Sequence, residues 1–83
     1  MKTTNDVKDY ILNNYPLIRP NKFQVVKIGT AINLFIIDQN INLQKIQLIR
    51  SHLSVIDETP ALKKELEKNI KNAMIKYGYY KEK

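Results

Sequence analysis

"FQVVKIGTAINLFIID", residues 23–38, is the stretch on which the fold turns. Seven of the ten residues from Ile28 to Ile37 are apolar, and one of the chain's two glycines stands near the head of that run, two residues after Lys27. Glycine at the mouth of an apolar segment marks a sharp turn or a close approach to the backbone. On a helical wheel Ala31, Ile32, Leu34, Phe35, Ile36 and Ile37 leave only a thin polar strip at Thr30 and Asn33. A helix apolar on every side belongs in the middle of a fold, and the spacing predicts such a helix from Ile28.

The flanks read as helices too. Thr3 or Thr4 caps a first helix with Asp6 in its opening turn, and Val7, Tyr10, Ile11 and Asn14 share one side. Pro16 stops it, and "YPLIRPNKFQVV", residues 15–26, reads as a connecting loop or extended segment carrying Arg19 and Lys22. "DQNIN" closes the central helix, and Asn42 caps a third running from Leu43 to about Val55, with Ile46, Ile49 and Leu53 inward and Lys45, Leu48 and His52 on another face. "DETPALKKELEKNIKNAMIKYGYY" gives a fourth. Thr59 is its N-cap, Pro60 its first residue and Gly78 its terminator, and a stripe runs through Leu62, Leu66, Ile70, Ala73, Met74 and Tyr77. The expected fold class is mainly α: a single small domain of about four helices over residues 1–83, its core about 4–78.

Eighty-three residues support one modest core, with only ~3–5 kcal/mol in reserve. There is no cysteine and a single histidine, His52, so no thiolate or multi-histidine metal site is expected. No export signal or spanning segment is read, and a reducing cytoplasm fits. No triad, Gly-rich nucleotide loop or HExxH motif occurs, so neither catalysis nor a cofactor is expected. Net charge is +6, carried by residues 19–50 and 63–83 at +4 each around an acidic elbow of −2 at residues 51–62. A basic small domain points to a polyanion. The alternative is compositional: Lys, Ile and Asn supply 33 residues, the bias of an adenine- and thymine-rich genome.

If a helix starts at Ile28, its free amides form an anion site. Gly29 admits a phosphate to the backbone, Thr30 adds a hydroxyl and Lys27 a charge at the rim. Read together, "VKDYILNNYP", "VVKIGTAINLF" and "LQKIQLIRSHL" resemble the amino-terminal half of the ProQ/FinO family of RNA chaperones. The likeness rests on Tyr15-Pro16, Lys27-Ile28-Gly29 and the run from Ile49 to Leu53, in the family's order and at similar spacings. It covers about residues 6–66; the family's β-hairpin has no counterpart.

The resemblance implies a mainly helical ProQ/FinO-like domain that binds structured RNA, a stem with a single-stranded 3′ tail, and acts in post-transcriptional regulation. By it, Lys27 with the Gly29 and Thr30 amides forms the pocket and Arg50 is the arginine of the third helix. Lys45, Arg19 and Lys22 either meet phosphates or are solvated surface cations, and Tyr15 either stacks on a base or packs against Phe35. Tyr79 and Tyr80 stand among Lys76, Lys81 and Lys83 as a basic aromatic tail or a frayed end. Two rival readings stand beside RNA: a DNA-binding helix-turn-helix in "LFIIDQNINLQKIQLIRSHL", or a protein-interaction module using the Leu62–Tyr77 stripe. A monomer or weak homodimer, without a membrane partner, is expected.

Overall fold

In the computed structural model, which describes residues 2–37 and 43–80, Gly29 turns the chain back on itself instead of starting a helix. Its φ of +61° lies in the left-handed region that glycine enters freely. Gly29 and Thr30 form the two-residue loop between β1 (Phe23–Ile28) and β2 (Ala31–Ile37), closed by the pair Ile28 and Ala31. Glycine first in such a loop meets the requirement of a type II′ turn, whose twist matches the strands it joins. Val25, Val26, Ile28, Ile32, Ile36 and Ile37, branched at Cβ, favour the extended chain on both sides. β3 (Leu43–Arg50) pairs antiparallel with the other side of β2, so the sheet runs β1-β2-β3.

The expected mainly α, ProQ/FinO-like domain of about four helices is thus corrected to α+β: among the described residues, a three-stranded antiparallel sheet with three α-helices. The central helix expected from Ile28 is a hairpin turn and strand β2, and most of the third helix is β3. A short run apolar on every side carries no periodicity that separates a buried helix from a strand. In β3 the spacing itself misleads. Ile32 pairs with Ile49 but Asn33 pairs with Gln47, so Leu48 is an extra residue in a bulge, and Leu48 and Ile49 are both buried. Two consecutive inward residues break the alternation and imitate a helical stripe. The helix-turn-helix reading of the same stretch falls with it, since its two helices are β2 and β3. The expected Asn42 cap, like Lys81 and Lys83, lies outside the described residues.

The outer helices follow their local signals. Thr3 caps α1 (Thr4–Asn14) in a capping box: its hydroxyl accepts from the Asp6 amide at 3.2 Å, and the Asp6 carboxylate accepts from the Thr3 amide at 3.0 Å. After the Pro20–Lys22 3₁₀ turn and the sheet come α2 (Leu53–Glu58) and α3 (Pro60–Lys76). Gly78, at φ +80°, ends α3 in a Schellman arrangement, with Tyr79 N–H to Met74 O at 2.8 Å and Gly78 N–H to Ile75 O at 3.2 Å.

α1 packs on β1, α3 packs on β3, and α2 packs on α3. One core results, in which Val7 and Ile11 of α1 and Leu66, Ile70 and Met74 of α3 meet Ile32, Leu34 and Ile36 of β2. The Tyr10 hydroxyl donates to Glu67 Oε2 at 3.4 Å, joining α1 to α3. Asn69 Nδ2 donates to the Leu48 carbonyl, tying α3 to the bulge of edge strand β3. No helix among the described residues is long and apolar enough to cross a membrane.

Candidate nucleic-acid interface on the open sheet face

Successive residues of a strand point to opposite faces of the sheet. In β2, Ile32, Leu34 and Ile36 point into the helix-covered core, and Ala31, Asn33, Phe35 and Ile37 therefore point the other way. The pairings fix their neighbours. Ile28, Ala31 and Arg50 form one row across the sheet; Val26, Asn33 and Gln47 the next; Gln24, Phe35 and Lys45 the third; Ile37 and Leu43 end the grid.

None of the apolar members of that grid joins the core cluster, and Leu43, Ile28 and Val26 are 63%, 47% and 39% exposed. β2 is consequently apolar on both faces, although the helices pack on one. Two-sided apolar strands are the mark of sheets covered on both sides, whereas a sheet with one wet face alternates apolar with polar. The open face is therefore more apolar than a strand with one wet face requires.

Its charge is one-signed. The described acidic residues, Asp6, Asp9, Asp57, Glu58, Glu65 and Glu67, all lie on helices, whereas the strands carry Lys27, Lys45 and Arg50 and no acid. Phe35, half-buried in the middle strand, is flanked by exposed Gln24 on β1 and exposed Lys45 on β3. A flat aromatic surface beside a cation suits a ligand with planar rings and negative charge.

The structure gathers some of the residues singled out in the sequence and scatters others. Lys45 and Arg50 share the open face. Lys27 is exposed at the hairpin end of β1, on the pleat opposite to Val26 and Ile28. Gly29 and Thr30 form the hairpin turn, so no helix amides gather there and the anion site expected at a helix start has no structural basis. Arg19 and Lys22 are exposed at the 3₁₀ turn before β1. Tyr15 is 6% exposed and packs edge-to-face on Tyr80, ring centroids 5.7 Å apart, rather than on Phe35. Lys71 Nζ lies 5.5 Å from the Tyr80 ring centroid, so the carboxy-terminal aromatics up to Tyr80 help close the core.

Several perturbed titratable groups belong to the helix layer. Burial, reinforced by Glu67, pushes the Tyr10 hydroxyl up to about 12. Burial, then Tyr80 and Glu67, raises that of Tyr15. Amide hydrogen bonds from Lys2 and Thr3 hold the Asp6 carboxyl below its ordinary value. These groups support the fold. No cluster of three or more metal-ligating side chains occurs among the described residues.

A shallow cavity of about 220 Å³ lies between β3 and α3, lined by Ile46, Gln47, Asn69, Asn72, Ala73 and Lys76. Gln47 borders both this cavity and the open face. Phe35, Asn33 and Gln24 escaped the sequence reading as site residues, whereas Gln47 entered it only as a groove-facing residue of the helix-turn-helix alternative. The alternation of positions 31, 33, 35 and 37 after the Gly-Thr turn is the signal that carries them. No family model matches the chain, and no curated protein or solved structure is significantly similar to it.

Proposed function

We propose that the chain is an RNA-binding protein that holds an unpaired stretch of a structured RNA on the open face of its sheet. The observation that carries this reading is the two-sided apolar strand β2, with one side covered by helices and Phe35 standing between Gln24 and Lys45 on the other. Bases have flat faces that stack on an aromatic ring, and phosphates repeat along the strand where Lys45 and Arg50 meet them. The absence of carboxylates from the described strands removes the repulsion that most protein surfaces impose on such a ligand. Gln24 and Gln47 add amides able to bond 2′-hydroxyls or base edges. In this reading Lys27, Arg19 and Lys22 serve the surrounding duplex as diffuse charges rather than as a pocket.

The test is fluorescence anisotropy with three probes: an RNA hairpin bearing a mixed-sequence 3′ tail, the same hairpin without its tail, and a DNA duplex. Each is measured at about 0.05 and 0.2 M salt, a range over which purely phosphate-driven binding changes strongly. Tail-dependent binding that persists at the higher salt and collapses in Phe35→Ala supports the reading. Equal, salt-labile binding to all three sinks it, and the exposed Val26, Ile28 and Leu43 patch then belongs to a protein partner.

A further inference from the structure

One side chain at the centre of the open face is built in a way the stacking surface does not require. Asn33 is 1% exposed, and its Nδ2 donates to the Ala31 carbonyl at 3.3 Å. Its Oδ1 is buried and has no hydrogen-bond partner. The orientation of the amide follows from chemistry: a backbone carbonyl only accepts, so the nitrogen faces Ala31 and the oxygen is the end left over. Buried polar atoms in folded chains are nearly always partnered, and each exception calls for a reason. A valine or leucine here would complete the apolar strand without the penalty.

We infer that Asn33 Oδ1 is a base-reading acceptor, selecting in single-stranded RNA for bases that carry an exocyclic amine and against uracil. This rests on the RNA-binding reading above. Asn33 is two residues from Phe35 on the same face, about 7 Å along the strand, so a base stacked on the ring brings its edge to the amide. Its row neighbours Val26 and Gln47 are exposed, so the row in which the amide stands is reached from solvent on both sides of β2. An acceptor held in an apolar surround discriminates well, because a base that offers no donor leaves it unpaired. Adenine and cytosine each present an amine with two donor hydrogens. Uracil's one ring donor is flanked by two carbonyl oxygens, both of which repel Oδ1. A surface that attracted RNA by charge alone would show no such preference.

The experiment uses the full chain with fluorescein-labelled octamers of adenosine, cytidine and uridine, and a fourth octamer of purine riboside, which is adenosine without its amine. Expected for the wild-type chain is binding of the adenosine and cytidine octamers about five- to tenfold tighter than uridine, with the purine riboside octamer losing the same factor, the scale of one desolvated hydrogen bond. In Asn33→Leu the preference vanishes while uridine binding and the melting temperature hold or rise, because the unpaired oxygen is gone. Asn33→Val, branched at Cβ and without an acceptor, repeats the test should leucine disturb the bulge.

The purine riboside comparison needs no mutation and is immune to folding defects. Wild-type binding without a base preference, or a preference that survives Asn33→Leu, overturns the assignment and leaves the RNA-binding reading intact. Binding of no octamer overturns the assignment, and the RNA-binding reading is then decided by the hairpin probes above.

Discussion

The two faces of the sheet share a backbone, yet they differ in what covers them and in how far their atoms are satisfied. On the helix side Ile32, Leu34 and Ile36 are wholly buried. On the other, Ala31, Asn33, Phe35 and Ile37 stand in the same strand, one residue out of phase, with no place in the core cluster. The helix face is apolar along β2, with Lys27 of β1 and Gln44 of β3 at its margins. The open face mixes apolar side chains with two cations, amides and a buried oxygen without a partner. Residues that satisfy one another belong to the fold, and residues left unsatisfied point to what lies outside it.

The sharpest way to test that division is to truncate adjacent residues of β2. Leu34→Ala empties a filled site and should cost about 2–5 kcal/mol, most of what a domain of this size holds, so denaturant melts should show a chain near its unfolding midpoint. Phe35→Ala, one residue on, should cost far less stability. Its loss should appear in RNA binding, by about 1–3 kcal/mol for one stacked base, or roughly five- to 150-fold in Kd by anisotropy. If the two variants lose stability equally and neither changes binding, the open face is merely a second, poorly covered part of the core.

How much of this was legible in the sequence differs sharply between the chain's ends and its middle. The capping box at Thr3 and Asp6, the Leu66, Ile70, Ala73 and Met74 stripe, and the Gly78 stop are local signals, and the structure has the corresponding helices. The middle depends on what lies across from it. "AINLFII" is apolar at every phase, so only the Gly-Thr turn and the branched side chains favour a strand, and a helix-wheel reading absorbs both. The Leu48 bulge then disguises β3. The site suffered the same error. Lys45 and Arg50 were visible as cations, but only the pleat and register bring them beside Phe35 and Asn33, and the misplaced helix start drew attention to Lys27, Gly29 and Thr30 instead.

Gly29→Ala turns that misreading into a measurement of sign. A Cβ at Gly29 meets nothing within 4 Å, so only the backbone conformation opposes it. In the hairpin, alanine at φ +61° should cost roughly 1–2 kcal/mol. At a helix start the same change is neutral or stabilising, because alanine loses less chain entropy than glycine. A lowered melting temperature with unchanged RNA affinity is the expected pair of results. A stabilised variant would contradict the turn on which β1 and β2 depend.

The smallest effect separates the layers by pH. The Tyr10 hydroxyl, raised from 10.0 to about 12, belongs to the helix layer and donates to Glu67. Below pH 10 the phenol is protonated in both folded and unfolded chains, and its contribution is fully present. As pH climbs from 10 towards 12 the unfolded chain releases its proton first, so stability drains through that window. Tyr10→Phe removes the hydrogen bond, lowering stability near neutral pH by up to about 1 kcal/mol, and flattens the alkaline loss. Tyr15, also raised, keeps a residual slope. Denaturant midpoints of both chains between pH 7 and pH 11.5 give the comparison. The curves should draw together towards the alkaline end, because only wild-type loses stability there as the buried phenol beside Glu67 ionises. Parallel curves would mean that Tyr10 titrates as it does in the unfolded chain, and that the closure of α1 on α3 rests on Val7, Ile11, Leu66 and Ile70 alone.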